Sequence, residues 1–193
     1  MKDPVGGYLR RVRVAVLASG SGTILEAILE AGVPVDVILT DRRCRALELA
    51  GDRGVLLERT DFSKSFDRDG YADQLVALLH EHDIDLAVMA GFGTVVPKAV
   101  PAFRGLMLNT HPSLLPAFKG WHPVRDALAL GVKVTGTTVH VVTEEMDVGP
   151  ILAQEAVTVL PDDTEATLHE RIKAVERRLF PDTIKRVIAG ELP

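Results

Sequence analysis

Cysteine is almost missing from this chain. Cys44 is the only one in 193 residues, so neither an intrachain disulfide nor a Cys-rich metal centre can form. Positive charge is also short: 22 Lys and Arg stand against 27 Asp and Glu, a formal net charge of -5. A chain with that balance offers no broad electrostatic footprint for nucleic acid or an anionic membrane. One local phosphate site stays open, because backbone N–H groups at a helix start bind an anion without a basic side chain. Long apolar runs are missing too. No segment approaches the roughly 20 residues of a membrane span, and MKDPVGGYLRR at the start lacks the apolar stretch of a signal peptide. A cytoplasmic protein is the expectation. With no HExxH pair and no Cys cluster, no metal is expected. Ser19, Ser21 and Ser113 lack the GxSxG elbow of a serine hydrolase.

What is present is a core-forming composition, 47% hydrophobic, arranged as short apolar runs alternating with longer amphipathic ones. VRVAVLA (12–18), VDVILT (35–40), VLLE (55–58), DLAVMAG (85–91) and LMLNT (106–110) read as strands. Between them, helical patterns run from Thr23 to Ala31, near Ala46–Asp52 and over roughly 68–81, where Tyr71, Leu75, Leu78 and Leu79 share a face. VRDALALG (124–131) reads as a short helix stopped by Gly131. VTGTTVHVV (134–142) and ILAQEAVTV (151–159) alternate like strands, and PDDTEATLHERIKAVERRL (161–179) as a long helix opening on acidic and Thr caps. The first half is β-α-β-α-β-α-β, which implies an α/β fold: a doubly wound, mostly parallel sheet with helices on both faces. The two later strands make an antiparallel extension. With no repeat, low-complexity tract or linker, the expectation is one domain over 12–193 and a loose tail over 1–11.

Three motifs carry chemistry. ASGSGT (18–23) joins the first strand to the first helix, where a doubly wound fold binds phosphate. Gly20, Ser21, Gly22 and Thr23 are the candidates. The stretch GSGTIL breaks the dinucleotide pattern GxGxxG at Leu25, although Asp41 supplies an acid after the second strand. The bland alternative is a tight turn with no ligand. LNTHPSLLPAFKGWH (108–122) leaves an apolar strand and sets Asn109 and His111 two apart before Pro112 and Pro116. Alternation puts both on one side of the strand, where an amide donor and an imidazole could hold an oxyanion. An Asn and a His satisfied in a turn is the competing reading. TEEMDVGP (143–150) presents Asp147 at a turn, able to act on His111 only if the chain folds back over it. His80 and His82 do not share a helix face, His140 reads as a partly satisfied sheet histidine, and His169 as an exposed residue at a helix start. GFGTVVP (91–97) is a second Gly-rich loop after a strand, placed to meet another ligand.

Together these segments resemble the phosphoribosylglycinamide formyltransferases of purine synthesis. The likeness runs from VAVLASGSGT through MAGFGTVV, LNTHPSLLPAFKG, VKVTGTTVHVV and MDVGPILAQ to LHERIKAVERRLFP, roughly residues 12–188. HPSLLP followed about thirty residues later by Asp-x-Gly-Pro is specific for folate-dependent formyl transfer. The resemblance implies the formyltransferase fold and Asn109, His111 and Asp147 as the catalytic group. It implies direct transfer from 10-formyltetrahydrofolate, a co-substrate, to the amine of glycinamide ribonucleotide, without a metal. It places the ribonucleotide phosphate on Gly20, Gly22, Thr23 and the backbone of Ile24, with Lys173 and Glu176 near the ribose. It lines the folate pocket with Gly93, Thr94, Val95, Val96, Asn109, Thr143, Glu144, Glu145, Met146 and Asp147, and sets Arg68 toward the glutamate tail. The implied partners are these two small molecules, with no nucleic acid and no membrane; a homodimer stays open.

The chain departs from that family at three places: Ile24 replaces a common Asn, GTVV replaces Met-Arg-Ile-Leu after Gly91–Phe92, and WHPVRDAL replaces a polar segment. None touches Asn109, His111 or Asp147. On length, and for the tRNA-formylating enzymes also on acidic balance, the expectation is that the chain belongs to neither the tRNA-formylating nor the deformylase relatives. A formyltetrahydrofolate deformylase, which uses water as acceptor, is the enzymatic runner-up. A nicotinamide oxidoreductase and a non-catalytic folate or nucleotide binder compete with it from further away.

Overall fold

The computed structural model describes residues 10–60, 67–93 and 97–192. The elements in chain order are β1 (Val14–Ala18), α1 (Thr23–Glu30), β2 (Val35–Thr40), α2 (Ala46–Arg53), β3 (Leu56–Arg59), α3 (Arg68–Glu81), β4 (Leu86–Met89), α4 (Ala99–Ala102), β5 (Leu106–His111), α5 (Pro123–Leu130), β6 (Val134–Val141), β7 (Ile151–Thr158) and α6 (Glu165–Ile188). The strands form one sheet in the order β3-β2-β1-β4-β5-β6-β7. Pairings from β3 to β5 are parallel, and those of β6 with β5 and with β7 antiparallel. This is the expected doubly wound sheet with its antiparallel extension. The chain winds outward from β1 to β3, then restarts at β4 on the other side of β1. That reversal opens a crevice at the carboxyl ends of β1 and β4, the place where such sheets bind ligands.

Every residue of β1 is buried, as a strand covered on both faces requires. Val14, Val16 and Ala18 join a core with Leu25, Ile28, Phe180 and Ile184 of α1 and α6. Ala15 and Leu17 join a second core with Leu75 and Leu79 of α3 and Ala99 of α4. The same alternation divides β5: Leu108 belongs to the first core and Met107 to the second. Residue parity on β5 therefore decides which face a polar side chain serves.

Two details differ from the sequence reading. The last helix does not stop at Leu179 but crosses Pro181 and continues to Ile188. Proline deprives a helix of one N–H and crowds the preceding turn; here Phe180 and Ile184, both fully buried, anchor the chain on either side of it. The start of α6 agrees with its caps: Thr164 accepts from the Thr167 N–H and Thr167 returns the bond to the Thr164 N–H, a reciprocal cap. The second difference is α4, four residues long and too short to print a helical period. The expected tail over 1–11 falls mostly outside the described residues; Arg10 pairs with Asp85 at 2.6 Å and Arg11 with Asp36. Among the described residues no helix is long and apolar enough to cross a membrane.

Candidate active site

The crevice holds two cavities on opposite faces of the sheet, and β5 runs between them. On the α1–α6 face, a cavity of ≈ 260 Å³ is lined by Gly20–Ile24, Thr110, His169, Lys173 and Glu176. Gly22 is the residue before α1 and stands at φ 73, a left-handed conformation that costs glycine nothing. It carries no capping side chain, so the first-turn N–H groups of α1 are left for an outside acceptor. All six ribonucleotide candidates, Gly20, Gly22, Thr23, Ile24, Lys173 and Glu176, line this one cavity.

Glu176 is buried to 5% exposure. Its Oε1 accepts from the hydroxyls of Thr110 at 3.0 Å and Thr137 at 3.2 Å. Burial pushes its carboxyl above the ordinary range, against those two hydroxyls and the nearby Lys173 and Arg177. The Thr137 hydroxyl also lies 3.3 Å from the His111 carbonyl oxygen. One hydroxyl proton cannot serve both acceptors. When Glu176 is ionised Thr137 donates to it, and when Glu176 is protonated that donor is freed for His111.

The second cavity opens on the α4 face, between Met89, Met107, Val142, Asn109, His140 and the loop Thr143–Asp147. Apolar walls with one amide and a few titratable groups suit a small, largely apolar ligand oriented by a few polar contacts. Asn109 and His111 both point to this face, as their spacing requires, while Thr110 points to the other. Asp147 does fold back over His111. Its Oδ2 lies 3.5 Å from His111 Nδ1 and accepts from the Gly120 N–H at 2.8 Å. Its Oδ1 lies 3.7 Å from His140 Nε2. On its other edge, His111 Nε2 donates to the Phe118 carbonyl at 2.8 Å. A carbonyl only accepts, so Nε2 carries a proton, and Nδ1 faces the carboxylate at ion-pair distance. That arrangement suits a ring protonated on both nitrogens.

The loop Phe118–Gly120 thus grips both groups through its backbone, accepting from His111 and donating to Asp147. Phe118 (φ 54), Gly120 (φ 96) and Asp147 (φ 57) all adopt left-handed conformations. For Phe118 and Asp147 this is a strained geometry, of the kind that clusters at functional sites. Gly149 closes the Asp147 loop onto β6: a Cβ there would overlap the Val141 carbonyl oxygen.

The formyl transferase family model matches residues 12–184. The chain belongs to the formyl transferase family. It is 49% identical over 174 residues to the phosphoribosylglycinamide formyltransferase of Mycobacterium tuberculosis, covering 87% of this chain and 81% of that one. It is 37% identical over 189 residues to the human trifunctional purine biosynthetic protein adenosine-3, covering 94% of this chain and 19% of that much longer one. Among solved structures, glycinamide ribonucleotide transformylase 1 from Symbiobacterium toebii superposes with a TM-score of 0.87 at 41% identity, covering 93% of this chain and 89% of that one. The transformylase 1 of Geobacillus kaustophilus gives 0.86 at 33%, covering 93% and 100%.

Within this formyl transferase, other site candidates are placed less fully. Thr94, Val95 and Val96 lie outside the described residues, as does the Arg68 side chain, whose backbone opens α3. Gly93 does not line the cavity with Asn109; its N–H donates to Ser19 Oγ at 2.9 Å, beside Arg42. Two histidines hold a larger place than their sequence context suggests. His140 pairs directly across from Asn109 and is buried, with Nδ1 donating to the Val141 carbonyl at 3.0 Å and Nε2 without a hydrogen-bond partner. Burial pushes its ring below the ordinary histidine range. His169 is half-buried and lines the α6-face cavity. Its spacing of four from Lys173 and seven from Glu176 is the signal that places the three on one helix face. Among the described residues no three His, Cys, Asp or Glu side chains gather into a metal-binding group.

Proposed function

We infer that this chain transfers a formyl group to the amine of N1-(5-phosphoribosyl)glycinamide in de novo purine synthesis. The identity with phosphoribosylglycinamide formyltransferases supports the reaction. The observation that carries the assignment of roles is the division of β5: Thr110 lines the Glu176 cavity and Asn109 the other, with His111 on Asn109's side of the strand against Asp147. Two ligands in those cavities meet at the strand's carboxyl end.

In this reading the ribonucleotide phosphate sits on the N–H groups and hydroxyls of Gly20–Ile24, and Lys173 and Glu176 hold the ribose side. The formyl donor is 10-formyltetrahydrofolate, its ring between Met89, Met107 and Val142 and against Asn109 and the loop Thr143–Asp147. Arg68 and Thr94–Val96 are added to that pocket on the family likeness alone. The amine attacks the formyl carbon, a C–N bond forms, and the carbonyl oxygen becomes an oxyanion. The Asn109 amide and the His111 imidazolium stabilise that charge. Asp147 holds the His111 proton in place and accepts the proton that the attacking amine sheds. The oxyanion then reforms the carbonyl, the bond from the formyl carbon to the folate nitrogen breaks, and that nitrogen leaves with the proton Asp147 had accepted. The loop Phe118–Gly120 keeps His111 and Asp147 in register through the reaction. A cytoplasmic location fits this pathway.

The test is release of tetrahydrofolate, followed spectrophotometrically with and without the ribonucleotide, on the native chain and on Asp147→Asn. Release should require the ribonucleotide and fall by about 10²- to 10⁴-fold in the variant. Release that is indifferent to the ribonucleotide would indicate hydrolysis of the formyl donor and sink the proposed acceptor.

A further inference from the structure

The charges of the α6-face cavity do not balance for the ligand proposed there. A phosphate monoester brings a charge of about -2 at neutral pH. Lys173 is the one permanently cationic side chain among the described residues lining the cavity, and Glu176 is an acid. The loop Gly20–Ile24 contributes N–H groups and the hydroxyls of Ser21 and Thr23 but no charged side chain. The wall from Ala90, Gly91 and Pro112 contributes none. The remaining titratable group is His169. It stands one turn before Lys173 on α6, on the same face and against the same cavity.

We propose that His169 is a recognition residue for the ribonucleotide, which with Lys173 forms a two-cation wall opposite the glycine loop and takes up a proton when the phosphate dianion binds. The inference rests on the reading of this cavity as the ribonucleotide site and adds a residue to it. The protein's own surroundings favour the neutral ring: burial pushes His169 below the ordinary histidine range and Lys173 pushes the same way, against a weaker pull from Glu165 and Glu170 on its own helix. A bound dianion reverses the balance, because an opposite charge favours the protonated ring. Ribonucleotide affinity must then fall as pH rises from about 6.5 toward 8.5, above the second phosphate ionisation near 6.

Titration calorimetry of native protein, His169→Gln and His169→Lys with glycinamide ribonucleotide decides this. It should be run at several pH values in buffers of differing ionisation enthalpy, with steady-state kinetics alongside. The native chain should take up protons at pH 7.5. His169→Gln should take up fewer and bind on the order of tenfold more weakly at pH 6.5. Its loss should appear in KM for the ribonucleotide rather than in KM for the folate. His169→Lys, with a permanent charge, should restore affinity and flatten its pH dependence. Native-like proton uptake and affinity in His169→Gln across this pH range would overturn the inference and leave the ribonucleotide site standing. Failure of the native chain to bind the ribonucleotide would overturn the site itself.

Discussion

On the α6 face of the sheet, Glu176 is buried and held by two hydroxyls at 3.0 and 3.2 Å, both from strands. On the α4 face, Asp147 meets His111 and His140 at 3.5 and 3.7 Å, and among the described residues its one short hydrogen bond comes from a loop N–H. The first site is fixed by regular elements, which are rigid supports. The second is assembled from two loops in left-handed conformations laid against β5 and β6. Under the proposed function, this contrast follows the chemistry: a phosphoribosyl group needs a fixed seat, whereas groups that hold and move protons tighten only around the reacting atoms.

The sharpest way to break this contrast is to disturb the loop face alone. Gly149→Ala would drive a Cβ into the Val141 carbonyl, a backbone atom that no rotamer change can move away. The Asp147 loop must shift, and misplacement of about 1 Å costs on the order of 10²-fold in rate. Steady-state kinetics should show that loss in kcat, with ribonucleotide affinity near native.

Glu176→Gln probes the rigid face. KM for the ribonucleotide should rise about tenfold. Stability should change in the opposite sense. Because the folded carboxyl titrates above its unfolded range, the folded chain binds more protons than the unfolded one between those two values. Stability falls as pH rises through that interval. Melting temperatures from pH 4.5 to 8 should decline more steeply for the native chain than for the variant.

A smaller effect is expected at His140. Its folded ring titrates below the ordinary value of 6.5, so the unfolded chain binds more protons below that pH and the native state loses stability as pH falls. His140→Asn should lessen that acid loss, read as a melting temperature that drops less between pH 6.5 and 5.

The same two faces differ in how far the sequence reveals them. The parallel sheet and the glycine loop are legible because β-α alternation and a Gly-rich turn are local signals. Asn109 and His111 are legible as a pair because alternation on β5 is a rule of strand geometry. His140 is not, since its place opposite Asn109 depends on the antiparallel register of β6, a non-local fact. The grip of Phe118 and Gly120 on His111 and Asp147 uses main-chain atoms, which every residue has and no motif announces. His169 is visible in helical spacing, but which face of α6 meets the glycine loop is not. The extension of α6 past Pro181 follows from burial on both sides, which overrides a local helix-breaking signal.

The division of β5 is tested most directly by ribonucleotide binding without folate, measured calorimetrically on Asn109→Ala and Thr110→Val beside turnover of each. Thr110→Val should weaken binding, because it removes a hydroxyl from Glu176. Asn109→Ala should bind the ribonucleotide as the native chain does and lose on the order of 10²- to 10³-fold in kcat. Equal losses of ribonucleotide affinity in both variants, or native binding in Thr110→Val, would contradict the assignment of neighbouring residues on one strand to two different ligands.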